Sequence, residues 1–434
     1  MMPKRKPTRL ALILVALVPL SLAACVEGTS DDEGTAEPAA EDAEEAEEIE
    51  PDPAAEAPDE IVIGNVIALS GPNNAGASLS QIPSYDLWVE DVNAAGGIYV
   101  AEYDTRIPVR IERVDDTSDI GTSVQQVQQM LESEDIHFLF PPWGTAFNVA
   151  IAPIVSEFQS PVIGCTLSSA EMAADPGVFP YFYSLLNQPA EQGSALVDLI
   201  VEMGVESVAV IHHDDLHGLE VAEVVLPALE DAGVDVAIHR TYPVNAEDLS
   251  QQLREAQAAE VEGLLAFSYP PETFLIANQL REIGFSPDLF YATVAVAFPA
   301  FRDANGVETV EGVMGAGAWN PNVDIEGARG YFDRHVEMHG AEPDRWASAA
   351  CYSTGQVLEQ AIEAAGTLDP EAVKAAMDTT EFSTILGTFT FENNFNPVYP
   401  GEVGQWQDGE FEIVAPAENR TADPIYPKPS WPSE

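Results

Sequence analysis

Apolar residues in this chain fall into short unbroken runs separated by longer stretches with helical spacing. The first run, residues 61–69 (IVIGNVIAL), is apolar or small apart from Asn65. Such a run predicts a strand buried on both faces, as in a parallel sheet covered by helices. Ser70-Gly71-Pro72 breaks it, and apolar residues then recur at Ile82, Tyr85, Trp88, Val89 and Val92 until Gly96-Gly97 ends the helix. Further strands are predicted at 107–114, 137–140 and 161–165, with helices ending near 131 and covering 146–158. Residues 181–186 read as a first crossing between lobes. The pattern then restarts, with helices at 190–203, 219–232, 249–259 and 272–283 and strands at 208–212, 234–242, 263–269 and 289–293. Residues 310–319 read as a second crossing. Helices near 325–339, 346–365 and 370–378 return to the first lobe. Residues 387–392 and 402–414, with the hairpin signal Asp408-Gly409, read as an antiparallel addition to the second lobe. The fold class expected is α/β, two doubly wound parallel-sheet lobes joined by three segments. The boundaries are 61–184 plus 322–379 for lobe 1, 185–321 plus 380–420 for lobe 2, and a tail at 421–434. In open sheets ligands bind beyond the carboxyl ends of the strands, so residues 70–78 are the first place to look for a site.

The N-terminus adds an address. Lys4, Arg5, Lys6 and Arg9 precede the apolar run 10–20 and then Leu22-Ala23-Ala24-Cys25. This predicts a signal peptide over 1–24, too short to span a bilayer, with Cys25 lipidated as the new first residue. Residues 27–60 contain 16 acids, no base and one large apolar residue, Ile49. They cannot bury a core and read, with Cys25, as a disordered acidic spacer over 25–60. The product is expected to be exported, lipid-anchored to the cell membrane and facing the periplasm or cell exterior.

Seventeen basic residues stand against 73 acidic ones, a formal charge of −56, and only Lys374 and Lys428 remain as lysines beyond the leader. This excludes nucleic acid as a partner by repulsion. It fits either work in high salt, where repulsion is screened, or a lineage of acidic exported proteins. Cys165 and Cys351 could form one disulfide, but sequence does not show proximity, and two buried free thiols are the default expectation.

No phosphate loop, nucleophile elbow or paired metal motif occurs, so an enzyme is not expected and no cofactor is implied. The one metal-like cluster is His212-His213-Asp214-Asp215-Leu216-His217. On a strand His212 and His213 point to opposite faces and cannot share one ion. His213 and His217 with an Asp could do so in a loop, but the cluster reads first as a polar strand-end loop, and no metal site is assigned. A small acid or zwitterion needs hydroxyls and free backbone N–H groups at helix starts. Thr145, ahead of helix 146–158, and Thr166, Ser168 and Ser169, after strand 161–165, supply them. Asn74 is a further candidate in the opening loop.

The stretches IGNVIALSGP and VNAAGGI resemble the opening of the branched-chain amino-acid-binding family, the type I solute-binding proteins of ABC importers. LREIGF at 280–285, CYSTGQVLEQAIEAAGTLDPEAVKAAM at 351–377 and GQWQDGEFEIVAP at 404–416 agree, in the same order. The resemblance covers about residues 61–431. It implies a type I periplasmic-binding-protein fold with a three-segment hinge, and permease subunits as partners. It also implies a ligand carboxylate held at Thr145, Thr166 and Ser168. Where the family commonly carries an aromatic residue before a glycine, this chain has His217. Where the family has an aromatic in the first loop, small residues stand near Gly76, and Trp143 is expected to supply that ring. The acid that pairs with an α-ammonium after strand 289–293 is replaced by Val294, Ala295 and Val296. Glu272, near Tyr269, is the candidate substitute. Without one, the ligand is an amide, a urea-like compound or a small carboxylic acid instead of a branched-chain amino acid. Trp143 and Tyr269 read equally as core or ligand walls. The expected function is capture of a small polar organic molecule by hinge closure, as a monomer, for an importer. The alternative is a sensor that signals through a membrane partner without transport.

Overall fold

The computed structural model describes residues 56–432 apart from residue 318. The predicted leader 1–24, the lipidation at Cys25 and the spacer as far as 55 lie outside the described residues. Among those described, no helix is long and apolar enough to cross a membrane.

Strand β1 (Ile61–Ile67) is buried at every position. Ile61, Ile63 and Ile67 join the main core, whereas Val66 packs into a second cluster with Val127, Leu139, Ile151 and Phe182. Burial on both faces is why the run is apolar without alternation. β1 lies between β2 (Val109–Asp115) and β3 (Phe138–Phe140), parallel to both. Its polar interruption is satisfied: Asn65 Nδ2 donates to the Phe140 carbonyl at 3.2 Å and its Oδ1 accepts from Arg113 Nε at 3.3 Å. Helices α1 (Ile82–Ala94), α2 (Ile120–Leu131) and α3 (Thr145–Glu157) alternate with these strands. β4 (Val162–Gly164) and β5 (Phe182–Ser184) then pair in parallel.

After β5 the chain builds a second sheet. It runs through α4 (Pro189–Met203), β6 (Ser207–His213), α5 (Leu216–Asp231), β7 (Asp235–Tyr242) and α6 (Ser250–Ala258). β8 (Gly263–Phe267), α7 (Pro270–Glu282), β9 (Leu289–Ala292) and β10 (Met314–Ala316) continue it. Helices α8 (Ala328–His339) and α9 (Ser348–Ala365) go back to pack on α1, and α10 (Pro370–Met377) packs on α9. Last come β11 (Val403–Gln407) and β12 (Glu410–Ala415). The seven-stranded order is β12–β11–β10–β9–β8–β6–β7, with β11 and β12 antiparallel. Asp408 (φ +51°) and Gly409 (φ +86°) turn that hairpin in the left-handed region, as two-residue turns require.

The structure corrects three expectations and adds two short helices where none was expected. The strand expected at 107–114 is divided at Pro108, which has no N–H to offer, and Thr105–Ile107 pairs instead with Ile98–Val100. Gly387–Phe389 does not extend the second sheet. It pairs with Phe382–Thr384 as a separate hairpin on α9, where Gln360 bonds both the N–H and the carbonyl of Ser383 at 3.0 Å. The second crossing has two short helices, Pro299–Asn305 and Val307–Val310, before its strand. Finally, Cys165 and Cys351 are joined as a disulfide across 186 positions, not left as free thiols. The bond ties the loop after β4 to the first turn of α9.

Closing so long a loop restricts the unfolded chain strongly. Replacing both cysteines by alanine is expected to cost about 2–4 kcal/mol in urea unfolding, and mild reduction of the unmodified protein should reproduce most of that loss.

Candidate functional site

The site residues expected from the sequence lie on loops at the carboxyl ends of strands. β3 ends in Pro141-Pro142-Trp143-Gly144, and Gly144 (φ +98°) supplies the left-handed turn that starts α3 at Thr145. The Gly144 N–H donates to Thr166 Oγ1 at 3.1 Å. Thr145 Oγ1 lies 3.2 Å from the Ser168 carbonyl and accepts from the Ser168 N–H at 3.4 Å. Ser168 Oγ accepts from Gln192 Nε2 of α4 at 3.1 Å. Thr145, Thr166 and Ser168 are therefore brought together, buried, across two adjoining loops.

The aromatic residues come from both sheets. Trp143 is fully buried, with its ring 5.0 Å from Tyr269 and 6.1 Å from Trp346. A Cβ placed on Gly76 would stand 2.3 Å from the Trp143 indole, so that ring fills the space a side chain at 76 would occupy. Asn74 is placed less centrally: its Nδ2 donates to the Ala68 carbonyl at 3.1 Å, closing its own turn. That turn still packs against α7.

From the second sheet, Tyr269 stands just before α7 and stacks on His217 at 5.5 Å with 9° between planes. His213, not singled out as a ligand residue, lies 4.4 Å from Tyr269. Its Nδ1 is 3.2 Å from Asp215 Oδ1 but out of line for a hydrogen bond. Burial and the neighbouring His213 push the His217 imidazole down to about 4, so it is neutral at pH 7. His212 points away, its Nε2 2.9 Å from His239 Nε2. Alternation along β6 separates the two histidines as its sequence predicts, and among the described residues no group of three or more His, Cys, Asp or Glu is placed to hold a metal ion.

Glu272, in the first turn of α7, is 1% exposed, and its Oε1 accepts from the Asn245 N–H. Burial raises its carboxyl above the usual range. Val294, Ala295 and Val296 are fully buried, and the carbonyls of Val294 and Val296 are taken by Thr273 Oγ1 (2.6 Å) and Trp406 Nε1 (2.7 Å). Sequence reading missed Glu220 of α5. Its Oε1 accepts from Ser169 Oγ at 3.0 Å and the Glu171 N–H at 3.1 Å, which joins the second sheet's helix to the first sheet's loop. Its one sequence signal is a glutamate on the inward face of an otherwise apolar helix stripe, Val221, Val225 and Leu229. Buried atoms around the seam without a protein partner include Trp143 Nε1, both ring nitrogens of His213, His217 Nε2 and Glu220 Oε2.

A three-stranded parallel sheet with the adjoining β4–β5 pair, and a seven-stranded sheet, whose strand-end loops meet in one polar and aromatic seam, define the type I periplasmic-binding class of protein. Residues 60–410 match the family of periplasmic binding proteins, and the chain belongs to that family, one of solute-binding proteins and not of enzymes. It is similar to Leu/Ile/Val-binding protein homolog 7 of Brucella suis biovar 1 (strain 1330), 24% identical over 381 residues, covering 84% of this chain and 93% of that protein. Leu/Ile/Val-binding protein homolog 1 of Brucella abortus (strain 2308) is 23% identical over 362 residues, covering 82% and 93%. Among solved structures, the branched-chain amino acid transporter substrate binding protein LivJ of Streptococcus pneumoniae, in complex with isoleucine, matches with a TM-score of 0.71. That likeness is at 16% identity and covers 81% of this chain and 97% of that one. The leucine binding protein LivK of Thermotoga maritima matches at 0.70 with 19% identity, covering 83% and 99%.

Gly76→Ala is expected to displace the Trp143 indole, lowering stability by about 1–3 kcal/mol and altering the near-ultraviolet circular dichroism. For His217 the folded pKa of about 4 lies below the ordinary 6.5. The unfolded chain therefore takes up this proton first as pH falls, and the stabilisation is intact above pH 6.5 and lost on the way down to about 4. His217→Asn should flatten that acid-side decline in urea unfolding measured at a series of pH values.

Proposed function

We propose that this chain is an exported solute-binding lipoprotein, anchored through Cys25, that delivers a small polar organic ligand to the permease of an ABC importer. The observation that carries the reading is the seam: hydroxyls from the loops after β3 and β4 meet histidines and Tyr269 from the second sheet, with polar atoms of both sides left unpaired. A small molecule between the sheets gives those atoms partners that the protein does not supply. The names of the Brucella relatives and the isoleucine bound by the Streptococcus protein support a branched-chain amino acid as the first candidate. Amides, urea-like compounds and small carboxylic acids remain in the range because the loop at Val294 carries no acid.

In this reading Thr145, Thr166 and Ser168 receive the ligand's carboxylate or carbonyl. Trp143, Tyr269 and His217 wall it in, while Asn74 and Glu272 stand at the edges. The crossings near 184–189, 316–328 and 389–403 act as the hinge. The lobes are 61–184 plus 322–379 and 185–321 plus 380–420, with the 382–389 hairpin moving with the first. Contacts from both lobes exist together only in the closed form, so the ligand shifts the population toward it, and a monomer presents that shape to the permease. The acidic surface keeps such a protein soluble in high salt.

Titration calorimetry on residues 26–434 against leucine, isoleucine, valine, acetamide, urea and small carboxylic acids tests this. At least one is expected to bind, and Thr145→Val with Ser168→Ala should weaken it by about tenfold or more. No binding by any of them, or unchanged binding in the double variant, would refute the assignment.

A further inference from the structure

The seam contains a buried carboxylate with one unpartnered oxygen. Glu220 is 6% exposed and sits on α5, which packs against α3. One carboxylate oxygen holds the serine loop through Ser169 Oγ and the Glu171 N–H, while the other, Oε2, has no hydrogen-bond partner in the protein. A buried carboxylate with one oxygen idle is costly unless a donor, best a cationic one, is brought to it.

The chain offers no such donor nearby. The segments that build the seam, 141–148, 164–171, 212–220, 268–274 and 293–298, contain no lysine and no arginine. Arg345, the buried arginine beside Trp346, is committed elsewhere, to Glu342 and the Pro343 carbonyl. His217 is neutral. Burial raises the Glu220 carboxyl, which is the effect of desolvation without a compensating charge. Nor do the alternatives fit the role as well. Glu272 likewise gives one oxygen to the protein, but to Asn245 and not to the serine loop that Glu220 holds, and the loop 294–296 is aliphatic, with its carbonyls engaged.

Resting on the solute-binding reading above, the geometry points to Glu220 as the anchor for a cationic nitrogen of the ligand, which is therefore an amine-bearing molecule and not a urea, an amide or a plain carboxylic acid. Glu220 holds Ser169, and Ser168, the residue before it, contacts Thr145. A ligand with ammonium and carboxylate on neighbouring carbons then meets the glutamate and the hydroxyl cluster together. The ammonium-binding charge has a place on α5 instead of the loop after β9, and the ring-lined side of the seam is left to the ligand's apolar end.

A structural role for Glu220, holding Ser169 and Glu171, predicts a different outcome and is separated by selectivity. The probes are L-leucine, 3-methylbutylamine and 4-methylpentanoate, which is leucine without its amine, with acetamide and urea as amine-free controls. Each is titrated into the full mature protein and into Glu220→Gln, whose side-chain oxygen preserves the contacts to Ser169 and Glu171. Leucine or the amine is expected to bind more tightly than every amine-free probe, and Glu220→Gln to weaken it by about tenfold or more while changing amine-free binding less than about twofold. Equal loss for amine-bearing and amine-free probes would assign Glu220 a structural role and overturn the inference. So would tighter binding of urea, acetamide or 4-methylpentanoate in the unmodified protein, or unchanged leucine binding in Glu220→Gln. Binding by none of the probes would overturn the solute-binding assignment itself, and this one with it.

Discussion

The loops after β3 and β4 satisfy each other's polar groups, and most of the seam depends on this. Gly144 donates to Thr166, and the side chain of Thr145 closes on the backbone of Ser168. Two buried strand ends that would otherwise carry unpaired amides and carbonyls become one unit. The disulfide from Cys165 fastens that unit to α9, which packs on α1, where Gly355 comes so close to the Trp88 ring that a Cβ would lie 2.1 Å from it. The first-sheet side of the site is thus a rigid block. The second-sheet side reaches it through side chains: Gln192 to Ser168, Gln188 to the Ser169 N–H, and Glu220 to Ser169 Oγ. Contacts made by side chains across a gap are the ones that part when two rigid bodies separate.

Polarity is divided unevenly within that seam. The loop after β9 is sealed by aliphatic side chains, and Ala295 adopts φ +83°, a conformation that costs a non-glycine residue on the order of 1–3 kcal/mol. Hydrogen bonds from Thr273 and Trp406 to its carbonyls hold it there. An acid at 294–296 would have to enter a shell in which every one of those residues is fully buried. The carboxylates lie instead at and near helix starts, Asp215 as the N-cap of α5, Glu220 on α5 and Glu272 on α7. The segments that build the site contain these acids and no lysine or arginine, as the whole chain is at −56, but Glu220 and Glu272 are buried and little screened by salt, whereas the surface charge is screened strongly.

The order of strands and helices was legible because each buried strand needs an unbroken apolar run and each covering helix an apolar stripe. What failed to show were features whose cause lies far along the chain. Gly387–Phe389 is as good a strand as β11, and only Gln360 of α9, distant in sequence, decides which neighbour it takes. Cys165 and Cys351 carry no local sign of being 4.9 Å apart at Cα. That Thr145, Thr166 and Ser168 stand together was legible because strand-end position and helix starts are local properties, and that the Trp143 ring fills the space over Gly76 because the chain has small residues there. Glu220 was not legible. Its sequence neighbours make it one more charge on a helix, and its meaning comes from Ser169, which faces it from the other sheet.

The unpaired atoms explain why such a seam is useful and not merely tolerated. A buried donor or acceptor without a partner costs about 1–3 kcal/mol, more if charged. Trp143 Nε1, His213 Nε2, His217 Nε2 and Glu220 Oε2 together set a penalty on bringing the sheets together with nothing between them. Against that stand the ring contacts of Trp143 with Tyr269 and the hydrogen bonds from α4 and α5, which favour closure whether or not a ligand is present. The two sets oppose each other at the same interface, which on the proposed solute-binding reading keeps an open form within reach of the closed one. A molecule that gives those atoms partners removes the penalty and leaves the favourable contacts intact, so it acts on the equilibrium by its differential affinity for the closed form. On that proposed reading, the polar deficit of the seam is what makes closure report occupancy.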